Sequence, residues 1–375
     1  ASVPGVYVPA LYAPRYDSNG HLRAIEATQA SLPPRIAKQT WRGNSLSHST
    51  VITPEAAWPN IHMVEVVRSC PELCRFCLAS YLTLPFRTPS LEDGLIPAVE
   101  QGLTATRRLG LLGASVTQHP QFEALLQWLS QERFDDLRVS VSSVRAATVT
   151  PALASTLARR GSKSLTIAIE SGSDRMRQLV NKKLSTAEIE AAARHAKEGG
   201  LSGLKLYGMV GLPQEENDDV EATAKLLLEL KQHTPGLRLT LGVSTFVPKA
   251  HTPFQWHSVS TSEFLRKQEL LRAEFQKMRG IKANFTDVRI SAMEDFVGRG
   301  DRRLSAVVRR TWELGAGMDS WWESLDRAFD AWTQAIAESG LSWKYRQVES
   351  GEWNLMDTHP ADQASSLDAP LPWDH

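Results

Sequence analysis

The chain has 375 residues and equal numbers of basic and acidic side chains, 42 of each, so it carries no net charge at neutral pH. A neutral chain has no global field to collect nucleic acid or an anionic membrane, and no apolar run reaches the roughly 18 residues of a membrane span. Its three cysteines cannot make a disulfide framework, which points to a reducing compartment and an expected cytoplasmic location.

Residues 1–60 are rich in proline ("VPGVYVPALYAPRY", "SLPPR", "TPEAAWPN") and poor in periodic apolar stretches, which predicts an extended, irregular arm. The first strand is expected at His62–Arg68 ("HMVEVVR"). Further apolar strands follow at 107–113, 137–143, 164–170, 203–211 and 237–247, each separated from the next by a helical stretch. The helices are punctuated by their ends. Thr150 and Pro151 supply an N-cap and a first-turn proline, and Ser185 with Glu188 a capping box. Ser260 with Glu263 reads as another box, ahead of "FLRKQELLRAEFQKMR". Six strands alternating with helices predict an α/β fold with a parallel sheet, open or curled into a barrel. In either form, chemistry gathers at the carboxyl ends of the strands.

Beyond Phe246 the composition shifts, and eight of the eleven tryptophans lie from Trp256 onward. The stretch "MDSWWESLDRAFDAW" can place Trp322, Leu325, Phe329 and Trp332 on one helical face. Packing against the main domain is the plain expectation for that stripe, and a substrate-facing role for some tryptophans is the alternative. The expected organisation is an arm over 1–60, a core over 61–256, a helical extension over 257–340 and an extended tail over 341–375.

All three thiols lie in "RSCPELCRFCLAS", at Cys70, Cys74 and Cys77, directly after the first strand. A closed zinc site takes four ligands, and the fourth would have to come from a distant histidine such as His62 or His119. Thiol catalysis would need only one or two of the three. An iron–sulfur cluster uses them all, because thiolates are its soft ligands and three of them leave one iron of a 4Fe–4S cube open to a small molecule.

C-x-x-x-C-x-x-C after the first strand of a β/α repeat, with aromatic Phe76 before the last cysteine, resembles the signature of radical S-adenosylmethionine (radical SAM) enzymes. The resemblance implies a partial (β/α)6 TIM-like barrel, here with the irregular N-terminal arm and a helical, Trp-rich C-terminal extension. It implies a 4Fe–4S cluster on Cys70, Cys74 and Cys77, with S-adenosylmethionine (SAM) chelated at the fourth iron and cleaved reductively to a 5′-deoxyadenosyl radical. Phe76 belongs to that motif. Gly113 and Ala114 in "GLLGAS" would receive the methionyl amino group, although the family's usual acidic residue is missing there. Ser142, Ser143 and Arg145 would point to the barrel mouth. Glu170 and Ser171 in "IESGSDRMR" resemble polar contacts to SAM, and Arg175 would pair with its carboxylate. Met209, Val210 and Gly211 would lie beside the adenine. Glu170 or Arg175 could equally be a helix-start charge or a surface ion pair, and Gly211 a turn glycine.

Nearly the whole chain, in residues 1–60, the barrel and "VGRGDRRLSAVVRRTWELGAGMDSW" (297–321), resembles the branch of this superfamily that carries a cobalamin-binding domain ahead of the barrel. That domain is not expected in this chain, so cobalamin could enter only through a domain absent here. The chain could be the core of a longer protein or a relative that lost the domain. The leading expectation is a radical SAM enzyme acting on an unidentified substrate, by methylation if cobalamin is supplied. An electron donor such as flavodoxin or ferredoxin is the expected partner, and neither a membrane nor nucleic acid is. The alternatives are an RNA-modifying relative, suggested by pairs such as Arg107–Arg108 and opposed by the want of a second cysteine triad, or a non-enzymatic zinc or interaction protein.

Overall fold

The structure is a computed structural model that describes residues 3–341 and Trp343, apart from 17, 19–21, 143, 256, 258 and 279. It divides into two compact units. One comprises Gly43–Phe246 and Thr261–Ser291, and the other Ala1–Arg42, Val247–Ser260 and Ala292–His375. The expected tail over 341–375 lies almost wholly outside the described residues.

The first unit is built on parallel strands. β3 (His62–Glu65), β4 (Arg108–Leu112) and β5 (Arg138–Val141) form one sheet in sequence order. β6 (Ser164–Glu170), β7 (Gly203–Val210), β8 (Arg238–Thr245) and β9 (Ile281–Phe285) form a second. A parallel bridge between Val144 and Ile167 links them. Helices fill the crossovers: α1 (Leu78–Leu82), α2 (Ile96–Leu103), α3 (Phe122–Leu129), α4 (Pro151–Arg159), α5 (Asp174–Leu179), α6 (Thr186–Glu198), α7 (Asn217–His233) and α8 (Thr261–Gln276). This is the expected α/β partial barrel, with all six expected strands in place.

Local chemistry explains these elements. Thr150 Oγ1 accepts from the Leu153 amide (3.1 Å) and Pro151 opens α4, while Ser185 and Glu188 close a reciprocal box at the start of α6. On β7 and β8 the even and odd residues differ sharply in burial. Leu204, Leu206, Leu239, Leu241 and Val243 are buried in one core with Ile189, Leu227 and Leu230 of the helices, whereas Lys205 and Tyr207 are exposed. A parallel sheet usually hides both faces. Here the helix-covered face is buried and the other leaves room for ligands.

Strand β9 has no counterpart among the expected strands. "IKANF" sets Lys282 and Asn284 on the open face, so no continuous apolar run announces it. Its pairing with β8, from Leu239↔Ile281 to Val243↔Phe285, is a tertiary event.

In the second unit the arm is not wholly irregular. β1 (Tyr12–Tyr16) and β2 (Leu22–Ala27) pair antiparallel, with Pro14 tolerated in a two-stranded ribbon that is all edge. The sequence signal that could have found it is Asn19-Gly20 between two alternating segments. Three helices follow: α9 (Val288–Gly298), whose first turn belongs to the other unit, α10 (Leu304–Glu313) and α11 (Leu325–Glu338). The expected aromatic stripe holds only in part. Leu325 and Trp332 are buried, Trp332 donates to Asp319 (2.8 Å), and Phe329 stacks on Trp343. Trp322 falls short of the stripe, because α11 begins three residues later and leaves it 83% exposed.

Candidate metal and cofactor site

The three cysteines sit in the turn between β3 and α1. Ser69 (φ +73°) and Leu73 (φ +55°) adopt left-handed backbone that non-glycine residues rarely take, which throws the loop back over the strand end. The Cys77 amide donates to the Cys74 carbonyl (3.0 Å), and the Cys77 carbonyl accepts from the Ser80 amide (3.2 Å) as α1 begins. Cys70, Cys74 and Cys77 line one cavity of about 200 Å³, together with Phe76, Ala114, Ser115, Arg145, Glu170 and Lys182 among others.

A four-residue segment after α5 organises this wall. The Val180 carbonyl accepts from the Arg75 amide (3.0 Å). The Asn181 side-chain amide donates to the carbonyls of Leu73 (2.8 Å) and Glu72 (3.2 Å). Lys182 pairs with Glu170 (2.6 Å), and the Lys183 carbonyl accepts from Arg145. Arg145 in turn pairs with Glu72 (2.7 Å), whose other oxygen accepts from Gln118 (2.6 Å). The cysteine loop is thereby tied to β4, β5 and β6 by polar groups that satisfy one another.

Burial sets the electrostatics. It pushes the Cys74 thiol up to about 12, against the pull of Lys182 nearby, and raises Cys70 as well. Burial also works against the Lys182 charge, but the Glu170 carboxylate outweighs it and holds the ammonium above its ordinary value. Glu170 itself sits at φ +64° at the end of β6, a strained conformation that turns its carboxylate toward Lys182.

Among the described residues, no three His, Cys, Asp or Glu side chains are arranged to hold a single metal ion. The thiols line the wall of a cavity instead, and three soft donors along one wall suit a larger iron–sulfur cluster. The histidines a zinc site would have recruited are bound elsewhere. His62 Nε2 meets the Ala98 carbonyl (2.8 Å) and His119 Nε2 the Pro89 carbonyl (2.8 Å).

The other sequence-predicted residues divide. Phe76, Ala114 and Glu170 line the cavity, as does Arg145. Gly113 and Ser142 sit behind it, joined by a bond from Ser142 Oγ to the Gly113 carbonyl (3.0 Å). Ser143 lies outside the described residues. Ser171 is buried and accepts from the Ser173 amide (3.1 Å), while its carbonyl accepts from buried Arg177 (2.7 Å). Arg175 is not on the cavity wall. Its guanidinium forks onto Asp219 at the start of α7 and donates to the Gln214 carbonyl (2.9 Å). Met209 and Val210 close β7, and neither they nor Gly211 line this cavity. Gly211 (φ +81°) donates its amide to Glu215 (2.7 Å), which forms a buried pair with Lys267 (3.1 Å). Glu72, Asn181 and Lys182 escaped sequence reasoning, because nothing in "VNKK" or "PEL" shows that the two segments meet across more than 100 residues.

The Radical SAM superfamily pattern matches residues 64–227. An uncharacterized protein of Methanocaldococcus jannaschii is 31% identical over 255 residues, which are 67% of this chain and 54% of that protein. A tRNA-2-methylthio-N(6)-dimethylallyladenosine synthase of Sorangium cellulosum is 26% identical over 229 residues, 52% of this chain and 45% of that one. The chain thus spans about half the length of the curated relatives it matches. Among solved structures, a radical S-adenosylmethionine methyltransferase, TsrM, of Kitasatospora setae is similar over 54% of this chain and 41% of that one, with 12% identity and a TM-score of 0.43. Among the described residues no helix is long and apolar enough to cross a membrane.

Proposed function

Since this chain belongs to the radical SAM superfamily and is an enzyme of that class, we propose that Cys70, Cys74 and Cys77 hold a 4Fe–4S cluster and that the adjoining cavity receives SAM. The observation that carries this reading is that the three thiols share one cavity wall with Lys182 and Arg145. Bound there, the cluster would supply the electron that cleaves SAM to a radical able to take hydrogen from a substrate.

The chain's own residues prepare for that chemistry. Lys182, paired with Glu170, and Arg145, paired with Glu72, place cationic groups beside the thiols, and the Lys182 charge favours the Cys74 thiolate. Phe76, Val144 and Leu184 supply apolar wall that keeps water from the reacting end. The Ala114–Ser115 backbone borders the same space. Arg145 and Lys182 are therefore better placed than Arg175 to meet the carboxylate of SAM. Ser142, Ser171 and the Met209–Gly211 segment are proposed to shape the outer part of the cofactor site.

Anaerobic reconstitution followed by iron and sulfide analysis and mass-spectrometric detection of 5′-deoxyadenosine tests the reading. Protein that binds iron and sulfide and yields 5′-deoxyadenosine under dithionite supports it. Stoichiometric zinc without iron or sulfide would overturn it.

On the same reading an electron donor such as flavodoxin or ferredoxin is proposed to reduce the cluster, and methylation to proceed where cobalamin is held by a domain outside this chain. RNA modification is a second reading, favoured by the identity shared with the Sorangium cellulosum synthase. All three cysteines of this chain lie at one site, so an auxiliary cluster would need thiols from elsewhere.

A further inference from the structure

A charged hollow of the β/α unit lies at the amino ends of its strands, opposite the carboxyl ends that carry the cysteines. Lys163, Lys205, Arg238 and Lys282 line a pocket of about 480 Å³ at the amino ends of β6, β7, β8 and β9, together with the hydroxyl residues Ser164 and Thr240. Register brings these side chains together. Lys205 is partnered by Thr240 on one side, and Thr240 by Lys282 on the other, so the two lysines flank a threonine on one rung of the same face. Arg238 lies two residues before Thr240 and so shares its face. A fifth cation is close, because the Lys231 ammonium lies 2.8 Å from where a Cβ on Gly280 would stand.

No carboxylate lines the pocket. Among the described residues none of these cations has an acidic partner, and Arg238 donates only to the carbonyl and hydroxyl of Ser202 (3.4 and 3.1 Å). This is unlike Lys182, Arg145 and Lys267 elsewhere in the unit, each of which is paired with a carboxylate. Crowded like charges cost stability through repulsion, and among the described residues no carboxylate is paired with these cations to offset that cost. An anion from outside would.

We propose that this pocket binds a phosphate-bearing small molecule, its phosphate oxygens held by Lys205, Arg238 and Lys282 with Thr240 between them. A volume of about 480 Å³ falls within the usual range for small-molecule sites. The hollow spans only four neighbouring strands, roughly 15 Å across at ordinary strand spacing, and the chain as a whole is neutral. A concave, compact cluster on a neutral chain fits a small polyphosphate better than the long backbone of a nucleic acid. The proposal does not depend on the cluster or on SAM.

Isothermal titration of the purified chain with inorganic tripolyphosphate tests it. Binding at low salt should weaken as sodium chloride rises, and Lys205→Gln with Lys282→Gln should lower affinity by about tenfold or more. Arg309→Gln, which removes an exposed cation on α10 in the other unit, should leave affinity unchanged. Lys205, Lys282 and Arg309 are all exposed, and matching thermal melts will show that each variant is folded. No binding at low salt, or an equal loss in the Arg309 variant, overturns the proposal. So does tighter binding of a single-stranded RNA oligomer that is lost in the same double variant.

Discussion

The carboxyl and amino ends of the parallel strands handle charge in opposite ways. At the carboxyl end Lys182 and Arg145, which line the thiol cavity, pair with Glu170 and Glu72, and Arg175 and Lys267, which do not line it, pair with Asp219 and Glu215. At the amino end Lys163, Lys205, Arg238 and Lys282 share a pocket without an acid. Paired buried charges are held in fixed positions and present a prearranged field, at the expense of desolvation. Unpaired exposed charges stay hydrated and wait for a counter-ion. On the proposed reading the cysteine end is the place of prearranged chemistry and the amino end a place of recruitment.

Removing a thiol gives the largest expected effect. Cys74→Ala should abolish 5′-deoxyadenosine formation and most cluster iron after reconstitution, because two thiolates cannot hold the cube; full iron content in that variant would detach Cys74 from the site. Next comes Lys182→Met, which strands Glu170 in a buried position and should cost about 3 kcal/mol in urea unfolding. The double variant with Glu170→Gln should regain part of that loss, and strict additivity would show that the pair does not interact.

Gly172→Ala is expected to cost about 3 kcal/mol by the same measurement. A Cβ there would meet the Ala222 carbonyl at 2.3 Å and the Thr223 Cα at 2.4 Å, where α7 crosses the end of β6. A milder effect separates Arg175 from the cavity. Burial disfavours the Asp219 charge, but hydrogen bonds from Arg175, Ser173 and the Glu216 amide outweigh it and hold the carboxyl below its ordinary 3.8. A depressed carboxyl contributes stability that is present above its unfolded value and lost as pH falls through its folded one. Arg175→Gln should therefore shrink the acid-induced loss of stability below about pH 4 while leaving SAM affinity unchanged. Weakened SAM binding would return Arg175 to the cofactor site. Smallest of all, Lys205→Gln with Lys282→Gln should raise Tm slightly at low salt, a gain that fades near ~0.5 M salt as screening removes the repulsion. A fall in Tm would mean that the amino-end charges are compensated after all.

Much of this molecule could be read from the chain. Six parallel strands, the caps at Thr150 and Ser185, and the cysteine triad all depend on neighbours in sequence, where periodicity and spacing carry the information. Strand β9 escaped because its few apolar residues form a strand only against β8, and the start of α11 moved Trp322 out of a stripe that periodicity alone would allow.

What the sequence determined by itself was therefore the α/β order of elements and the set of soft donors after the first strand. Tertiary structure alone decided which charges meet them. Glu72 and Asn181 are joined across 109 positions, and Arg175 was turned from the cavity toward Asp219 by the approach of α7. The physical reason is that ion pairs and hydrogen bonds form through space, between loops whose separation along the chain carries no trace of the contact.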